Sequence, residues 1–457
     1  MTTAQLNEVS RLRDRVGKVV TPVDAGWDAA RLAFNLTVDQ HPTLIAYPSS
    51  AHEVAEVVRF AKERELRVAP QRTGHNAGPL GSLERTILLK TDDLGGVEID
   101  ASARRARVGG GMKWEHVVPQ ASELGLAALH GSTPDVSIAG YSLGGGLGWY
   151  GRKHGLAANS VTAIELVTAD GELRRVDHDH ESDLFWALRG GGGGNFGVVT
   201  ALEFELYEIP EVYAGVMFFP LERTSEVLHA WHELTASMPD EMTTVGRVLQ
   251  FPPLPEVPEP LRGRSFALVE GFFVGSEADG RNLLAPVRDL GPAIDTFATM
   301  PPVGLSEIHM DPPDPAPFVS GTQLLDELTP GAIDDFVAVV GPGSGSPLLS
   351  VELRHTGGAL ARAEAHHGAL AKLEGSFAMF GGGMALDAAM TAANEAQMAK
   401  LTDALSGYEV GQYGNFVERS YDARGFYPAA TYARLQRVRG EYDPDALFRA
   451  NHPIEAA

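Results

Sequence analysis

Val68-Ala69-Pro70-Gln71-Arg72-Thr73-Gly74-His75-Asn76-Ala77-Gly78 is the stretch whose reading decides the fold. The run from Leu66 to Ala69 predicts a strand that ends at Pro70 and delivers the chain into a turn carrying Gly74, Gly78 and Gly81. Glycines let backbone N–H groups approach a ligand closely, and successive amides of this kind make an anion-binding nest. His75, set between them, points an imidazole at whatever the nest holds; taken alone it could equally be a turn residue. Just upstream, Leu44 to Tyr47 reads as a strand stopped by Pro48. Ser50 with Glu53 forms a capping box, and Val54, Val57, Val58 and Ala61 share one face of the helix it opens. Strand, helix and strand make a β-α-β unit whose helix covers a sheet.

Further out, the first residues through Lys18 predict a short helix. Strands are expected at Thr86 to Leu89, Val97 to Ile99 and Arg105 to Val108, then a helix over Trp114 to Leu124 in which Pro119 is a blemish. Asp170-Gly171 between Val161–Ala169 and Glu172–Val176 signals a hairpin. Ser182 caps a helix through Leu188, and the glycines Gly190 to Gly194 come directly after it. Leu202, Phe204 and Leu206 alternate with Glu203, Glu205 and Tyr207, a strand with one wet face. After Pro210 the texture changes. Strand-like runs at Val216 to Phe219, Val245 to Phe251, Phe266 to Phe273, Leu348 to Arg354 and Phe377 to Phe380 alternate with helix-like stretches, the pattern of an α+β domain with an antiparallel sheet.

A chain of 457 residues exceeds what one core usually supports, so two domains are expected. Its apolar fraction of 44% is ordinary for a globular protein. The net charge of -23 argues against nucleic acid and anionic membranes, and favours neutral or cationic substrates. With no cysteine, disulfides, thiol catalysis and Cys-ligated metal are excluded. Neither a secretion signal nor an apolar run of membrane-spanning length is visible, so the expected location is the cytoplasm. Nothing in the sequence indicates the oligomeric state.

Gly146-Leu147-Gly148-Trp149-Tyr150-Gly151 matches a dinucleotide fingerprint, with Asp170 at a suitable distance, and would serve a nicotinamide-dependent dehydrogenase. That fingerprint needs a strand before it and a continuous helix after it, and Gly155 interrupts any helix begun at Gly151. His178-Asp179-His180-Glu181 has no second ligand cluster to pair with, so no metal site is expected. His366-His367 sits in an alanine-rich run that reads as a solvated helix.

Several separated motifs occur in one order. His130-Gly131-Ser132-Thr133-Pro134-Asp135-Val136 leads to Gly140-Tyr141 and Gly144-Gly145-Gly146-Leu147-Gly148. Asp183-Leu184-Phe185-Trp186 precedes the glycine run, and Asn195-Phe196-Gly197-Val198-Val199 succeeds it. Tyr413-Gly414-Asn415-Phe416 and Tyr442-Asp443-Pro444 stand near the end. Together with the His75 loop, these blocks resemble the berberine-bridge-enzyme-like flavoproteins, a branch of the vanillyl-alcohol oxidase superfamily, and their bacterial members most. The resemblance runs from about Pro42 onward.

That resemblance implies an α+β, two-domain flavoprotein. Residues 38–210 would form an FAD-binding domain of two small α/β subdomains. Residues 211–410 would form a substrate domain with an antiparallel sheet and helices, and residues 411–457 would return to the first domain. It further implies that Gln71, Arg72, Thr73, Gly74, Asn76 and Gly78, then Gly131, Ser132, Thr133, Val136, Gly140, Tyr141, Gly145 and Gly148, and later Val199, Asn415 and Asn451 surround FAD. His75 matches the histidine joined covalently to the flavin. Thr73 stands where the family pattern has glycine, which alters the loop. Thr133 stands where doubly linked members carry cysteine, so only one covalent link is possible here.

The implied reaction is hydride transfer from a C–H next to oxygen or nitrogen of a small organic substrate, such as an alcohol, sugar or cyclic amine, to flavin N5. Dioxygen is the expected acceptor, reduced to H2O2, because Val136 is small at the position that gates oxygen in related plant flavoproteins. Tyr413 is the candidate base, with a core aromatic as its bland alternative. Glu352 and Arg354 share a strand face by period two and could bind a polar substrate group or form a surface ion pair. The other function classes are the nicotinamide dehydrogenase and a flavin-binding protein without turnover.

Overall fold

The computed structural model describes residues 9–457. The β-α-β unit forms as predicted. Its strands Leu44–Tyr47 and Arg67–Gln71 belong to a four-stranded sheet that also holds Lys18–Val20 and Thr86–Lys90, and its helix spans Ala51–Glu63. Pro70 does not end its strand, because Arg67–Gln71 lies at the sheet edge. Val68 faces outward there, donating to the Leu447 carbonyl at 2.9 Å and accepting from the Arg449 amide at 2.8 Å. Pro70, two residues on, faces the same way, so its missing N–H removes no bond to the neighbouring strand. Ser50 accepts from the Glu53 amide at 3.3 Å, while the Glu53 carboxylate accepts from the Ser49 amide at 3.0 Å, closing the capping box one residue upstream. The expected leading helix covers residues 9–13, and Lys18 opens a strand instead; residues 1–8 lie outside the described residues.

A second, five-stranded antiparallel sheet is built from Val97–Asp100, Arg105–Gly109, Val198–Glu205, Val161–Val167 and Leu173–Val176. The Asp170-Gly171 hairpin is present, with Gly171 at φ +78. Pro119 proves no blemish: it falls in the first turn of the Val118–Glu123 helix, where its missing N–H would have had no partner. Ser182 is the first helical residue rather than the cap; Glu181, in the left-handed region, precedes it and makes no side-chain cap bond.

The largest sheet has nine strands, chief among them Val212–Pro220, Met242–Gln250, Ser265–Phe273, Phe318–Leu325, Ser350–His355 and Phe377–Met384. It is antiparallel and buried on both faces. Met217, Phe219 and Val269 pack under Trp231, Leu284, Phe336 and Leu401 of four covering helices. Val216, Phe218 and Leu268 pack the opposite way, against Trp149 and Tyr150. The chain beyond 411 then returns to the first two sheets, its Ala429–Tyr442 helix burying Leu435 and Val438 with Leu184 and Phe185. No helix among the described residues is long and apolar enough to cross a membrane.

Candidate active site

A cavity of about 1180 Å³ lies between the large sheet and the two smaller ones. This exceeds the roughly 300–1,000 Å³ of a pocket for one small ligand and leaves room for two. The His75 loop forms one wall. His75 is half-buried, its ring stacked on Phe34 with centroids 3.7 Å apart, and its Nδ1 shares a 2.8 Å hydrogen bond with Thr73 Oγ1. Thr73, which stands where the family pattern has glycine, therefore holds the imidazole ring in place. Burial, with Lys113 adding to it and Asp311 opposing, lowers the His75 pKa to about 4, so the imidazole is neutral at pH 7.

The neighbouring residues are tied down. Arg72 donates to the Gly111 carbonyl at 2.7 Å and pairs with Asp92, while Gln71 accepts from Lys90 Nζ at 2.7 Å. Asn76 donates to the Gly414 carbonyl at 3.0 Å, and Asn451 donates to the Asn76 carbonyl. Gly131, Ser132, Thr133, Val136, Gly140, Tyr141 and Val199 also line the cavity, as does the glycine run. That run is no free loop, since the Gly190 and Gly192 amides both donate to the Leu143 carbonyl, at 3.0 and 2.9 Å.

Three expected cofactor-binding glycines, Gly78, Gly145 and Gly148, do not line the cavity. They let chain segments close up behind it. A Cβ on Gly78 would stand 2.1 Å from the Glu418 carbonyl oxygen, one on Gly148 2.0 Å from that of His130, and one on Gly145 would press on the Tyr413 ring. The Gly146–Gly151 stretch is likewise no dinucleotide fingerprint. The helix Ile138–Leu143 precedes it, in place of a strand, and only the four-residue helix Gly151–His154 comes after it.

Tyr413 is fully buried against the cavity. Its hydroxyl accepts from the Gly146 and Leu147 amides at 2.8 and 3.0 Å and from Asn415 Nδ2 at 3.1 Å. Asn415 also donates to the Tyr141 carbonyl at 2.9 Å. Burial pushes the Tyr413 phenol up to about 12, even though those three donors pull it down. A base working at neutral pH needs the opposite shift.

Across the cavity, Glu352 and Arg354 do share a face, but as a buried pair rather than a surface one, with Arg354 Nε donating to Glu352 at 2.5 Å. The antiparallel register sets Arg247 opposite Glu352. Arg247 donates to Glu270 at 2.9 Å and to the His309 carbonyl at 2.6 Å. His309 Nδ1 lies 2.5 Å from Glu270, and its Nε2 lies 3.1 Å from Glu352 and 3.7 Å from Asp311. Burial and Arg247 push His309 down, but Asp311, Glu270 and Glu352 outweigh them and raise it to about 9. Three cations thus face three carboxylates. Asp311 reaches back to the opposite wall, accepting from Ser132 Oγ at 3.0 Å and from Thr133 Oγ1.

Arg247, Glu270, His309 and Asp311 were not singled out in the sequence. A lone charge within each of the apolar runs 242–250 and 265–273 was the available signal, because a charge there must be paired. No comparable signal marks His309 or Asp311.

The site accepts a cofactor such as FAD. His75 Nε2, Asn76 Oδ1 and the Tyr141 hydroxyl are buried at the cavity wall without a hydrogen-bond partner, and buried polar atoms almost always have one. Elsewhere, Glu364, His366 and His367 could approach one ion, but on an exposed irregular segment rather than the expected helix.

Fold and cavity together define a flavin-dependent oxidoreductase, and comparison with known proteins supports this. Residues 42–177 match the FAD binding domain model, and residues 413–455 match the berberine and berberine-like model. The chain is 30% identical to (R)-6-hydroxynicotine oxidase of Paenarthrobacter nicotinovorans, over 96% of each chain. A crystal structure of 6-hydroxy-D-nicotine oxidase from Arthrobacter nicotinovorans superposes with a TM-score of 0.82 at 26% identity, covering 96% of this chain and 97% of that one. Glucooligosaccharide oxidase from Acremonium strictum, described as holding 6-S-cysteinyl, 8α-N1-histidyl FAD, gives 0.82 at 21% identity, with coverage of 96% and 97%. The chain belongs to the berberine-bridge-enzyme-like FAD-linked oxidoreductases, and it is an FAD-dependent enzyme.

Proposed function

We propose that this enzyme is an oxidase, its FAD tethered by a single bond to His75 and its small organic substrate seated on the large sheet. The observation that carries this reading is the shared cavity: the His75 loop, Tyr413 and residues of the buried ionised cluster all line one space. Bound FAD supplies a two-electron acceptor for a C–H bond next to oxygen or nitrogen. Gln71 to Asn76, Gly131 to Thr133, Gly140, Tyr141, Val199, Asn415 and Asn451 would hold it.

With the Nδ1 proton donated to Thr73, His75 Nε2 carries the lone pair; it makes no hydrogen bond and stands 3.9 Å from Asp135 Oδ2, so the tether forms at Nε2. No second tether forms, because the chain has no cysteine. Glu352 and Arg354 bind a polar group of the substrate. Tyr413 handles the departing O–H or N–H proton, and the three N–H donors on its oxygen stabilise the negative charge it carries when ionised. Val136 leaves dioxygen room at the cavity wall.

Acid-precipitated, washed protein should remain yellow, and peptide mapping should place the flavin mass on the fragment containing His75. Anaerobic addition of substrate should bleach the flavin, and air should restore it with release of peroxide. Flavin washed wholly into the supernatant would refute the tether. Bleached flavin that air fails to restore within seconds would refute the oxidase reading.

A further inference from the structure

A buried cluster of ion pairs lines the cavity against the large sheet. Glu352 Oε2 is buried there 3.1 Å from His309 Nε2, and against the cost of burial Arg354 and His309 keep its carboxyl ionised well below the usual range. A carboxylate oxygen accepts more than one hydrogen bond, so a ligand N–H or O–H can add to it. From the cluster outward the lining turns apolar, through Phe318, Phe380, Phe416 and Met384. Three large apolar side chains of the lining, Leu254, Leu386 and Met390, are 52%, 66% and 37% exposed, so the cavity wall stays apolar where it meets solvent. Exposed apolar side chains that line a ligand cavity mark a binding surface. The charged rim residues Glu256 and Asp314 are both acidic, which disfavours an anionic ligand.

We propose that the substrate is a neutral or cationic amphiphile: a polar head bearing N–H or O–H donors seated at Glu352, and an apolar alkyl or aryl body running past Phe318, Phe380 and Phe416 to the rim at Leu254, Leu386 and Met390. This inference rests on the FAD-oxidase reading of the same cavity. Sugars fit such a channel poorly, because hydroxyls buried against aliphatic and aromatic walls lose their hydrogen bonds to water without replacement.

The test is a spectral titration of the purified holoenzyme, without oxygen, with N-methylalkylamines from propyl to octyl, the matching ω-amino carboxylates and a cello-oligosaccharide. Flavin perturbation gives Kd and bleaching gives turnover. Affinity should rise about three- to fourfold per added methylene. The carboxylates should bind more weakly at equal length, and the oligosaccharide should neither bind nor bleach. Leu254→Ser with Leu386→Ser should flatten the slope for the outermost methylenes, and Glu352→Gln should weaken the whole series about tenfold or more. Protein purified without flavin would overturn the oxidase reading and this inference with it. Flavin-loaded protein that shows no chain-length dependence, or that the oligosaccharide bleaches and the amines do not, would overturn this inference alone.

Discussion

The neutrality of His75 makes flavin attachment testable through pH. An ordinary imidazole, with a pKa near 6.5, is only about one-tenth neutral at pH 5.5. Burial lowers His75 to about 4, which leaves it almost wholly neutral at that pH. Only the neutral ring has a lone pair on Nε2 for the tether. Between pH 7.5 and 5.5 the attachment rate should therefore hold nearly constant, where an unperturbed histidine would lose about tenfold. The fall comes only as pH approaches 4, and its sign follows from burial disfavouring the imidazolium. Protein made under riboflavin starvation would be mixed with saturating FAD at each pH, quenched in acid at intervals, and its covalent flavin read by absorbance after washing. A pH of 5.5 also keeps this acidic chain above the range in which it nears zero net charge. A tenfold drop between pH 7.5 and 5.5 would refute the argument, since His75 would then titrate as if exposed. Thr73→Ala should slow attachment at every pH, because the ring would lose the partner that fixes its tautomer.

Further perturbations address the other elements of the site. If the Tyr413 phenolate takes the substrate proton, flavin reduction with a non-titrating alcohol should climb with pH from 7 towards 10, because the phenol ionises only near 12. Tyr413→Phe should abolish that climb and slow reduction by roughly 10²-fold at pH 7. The same variant should cost about 1–3 kcal/mol of stability in denaturant titration, since two buried amides lose their acceptor. Glu270→Gln leaves Arg247 and His309 without their carboxylate and should destabilise the protein by about 3–5 kcal/mol, read in the same way. Val136→Leu should slow reoxidation of the reduced flavin by air in stopped flow while leaving its reduction by substrate nearly unchanged. Burial lowers the pKa of both His75 and His130 to about 4, so at these two rings the unfolded chain binds more protons than the folded one between pH 4 and 6.5. The two rings should accordingly make stability decline as pH falls through that window, against the opposite effect of Asp135 and Glu418, whose pKa is raised to about 6 and about 7; thermal melts in which His75→Asn with His130→Asn leaves the pH profile unchanged would show these rings to be solvated.

What the sequence disclosed was what depends on neighbours along the chain. The β-α-β unit, the Asp170-Gly171 hairpin and the strands of the large sheet come from periodicity and turn chemistry. Glu352 and Arg354 could be set on one face by counting, but not placed inside the protein, because His309 arrives from an irregular segment more than forty residues upstream. Pro70 misled because a proline in a central strand would break it, and only the tertiary arrangement shows that Arg67–Gln71 is an edge. Gly78, Gly145 and Gly148 misled differently: a glycine that makes way for a ligand and one that makes way for another stretch of backbone look alike in sequence. Tyr413 could be placed near the site, but the amides that bind its hydroxyl lie 266 and 267 residues away.

The contact between Asn451 and the Asn76 carbonyl has a further consequence, because it joins residues 375 positions apart. The loop bearing His75 is made well before its outer strand partners at Leu447 and Arg449 and the asparagine that closes over it. At typical synthesis rates of about 5–20 residues per second, the loop waits roughly 20–75 s for them. A nascent chain that has not yet delivered Asn451 cannot close this wall, so capture of a dinucleotide there waits for the segment around Asn451 to emerge.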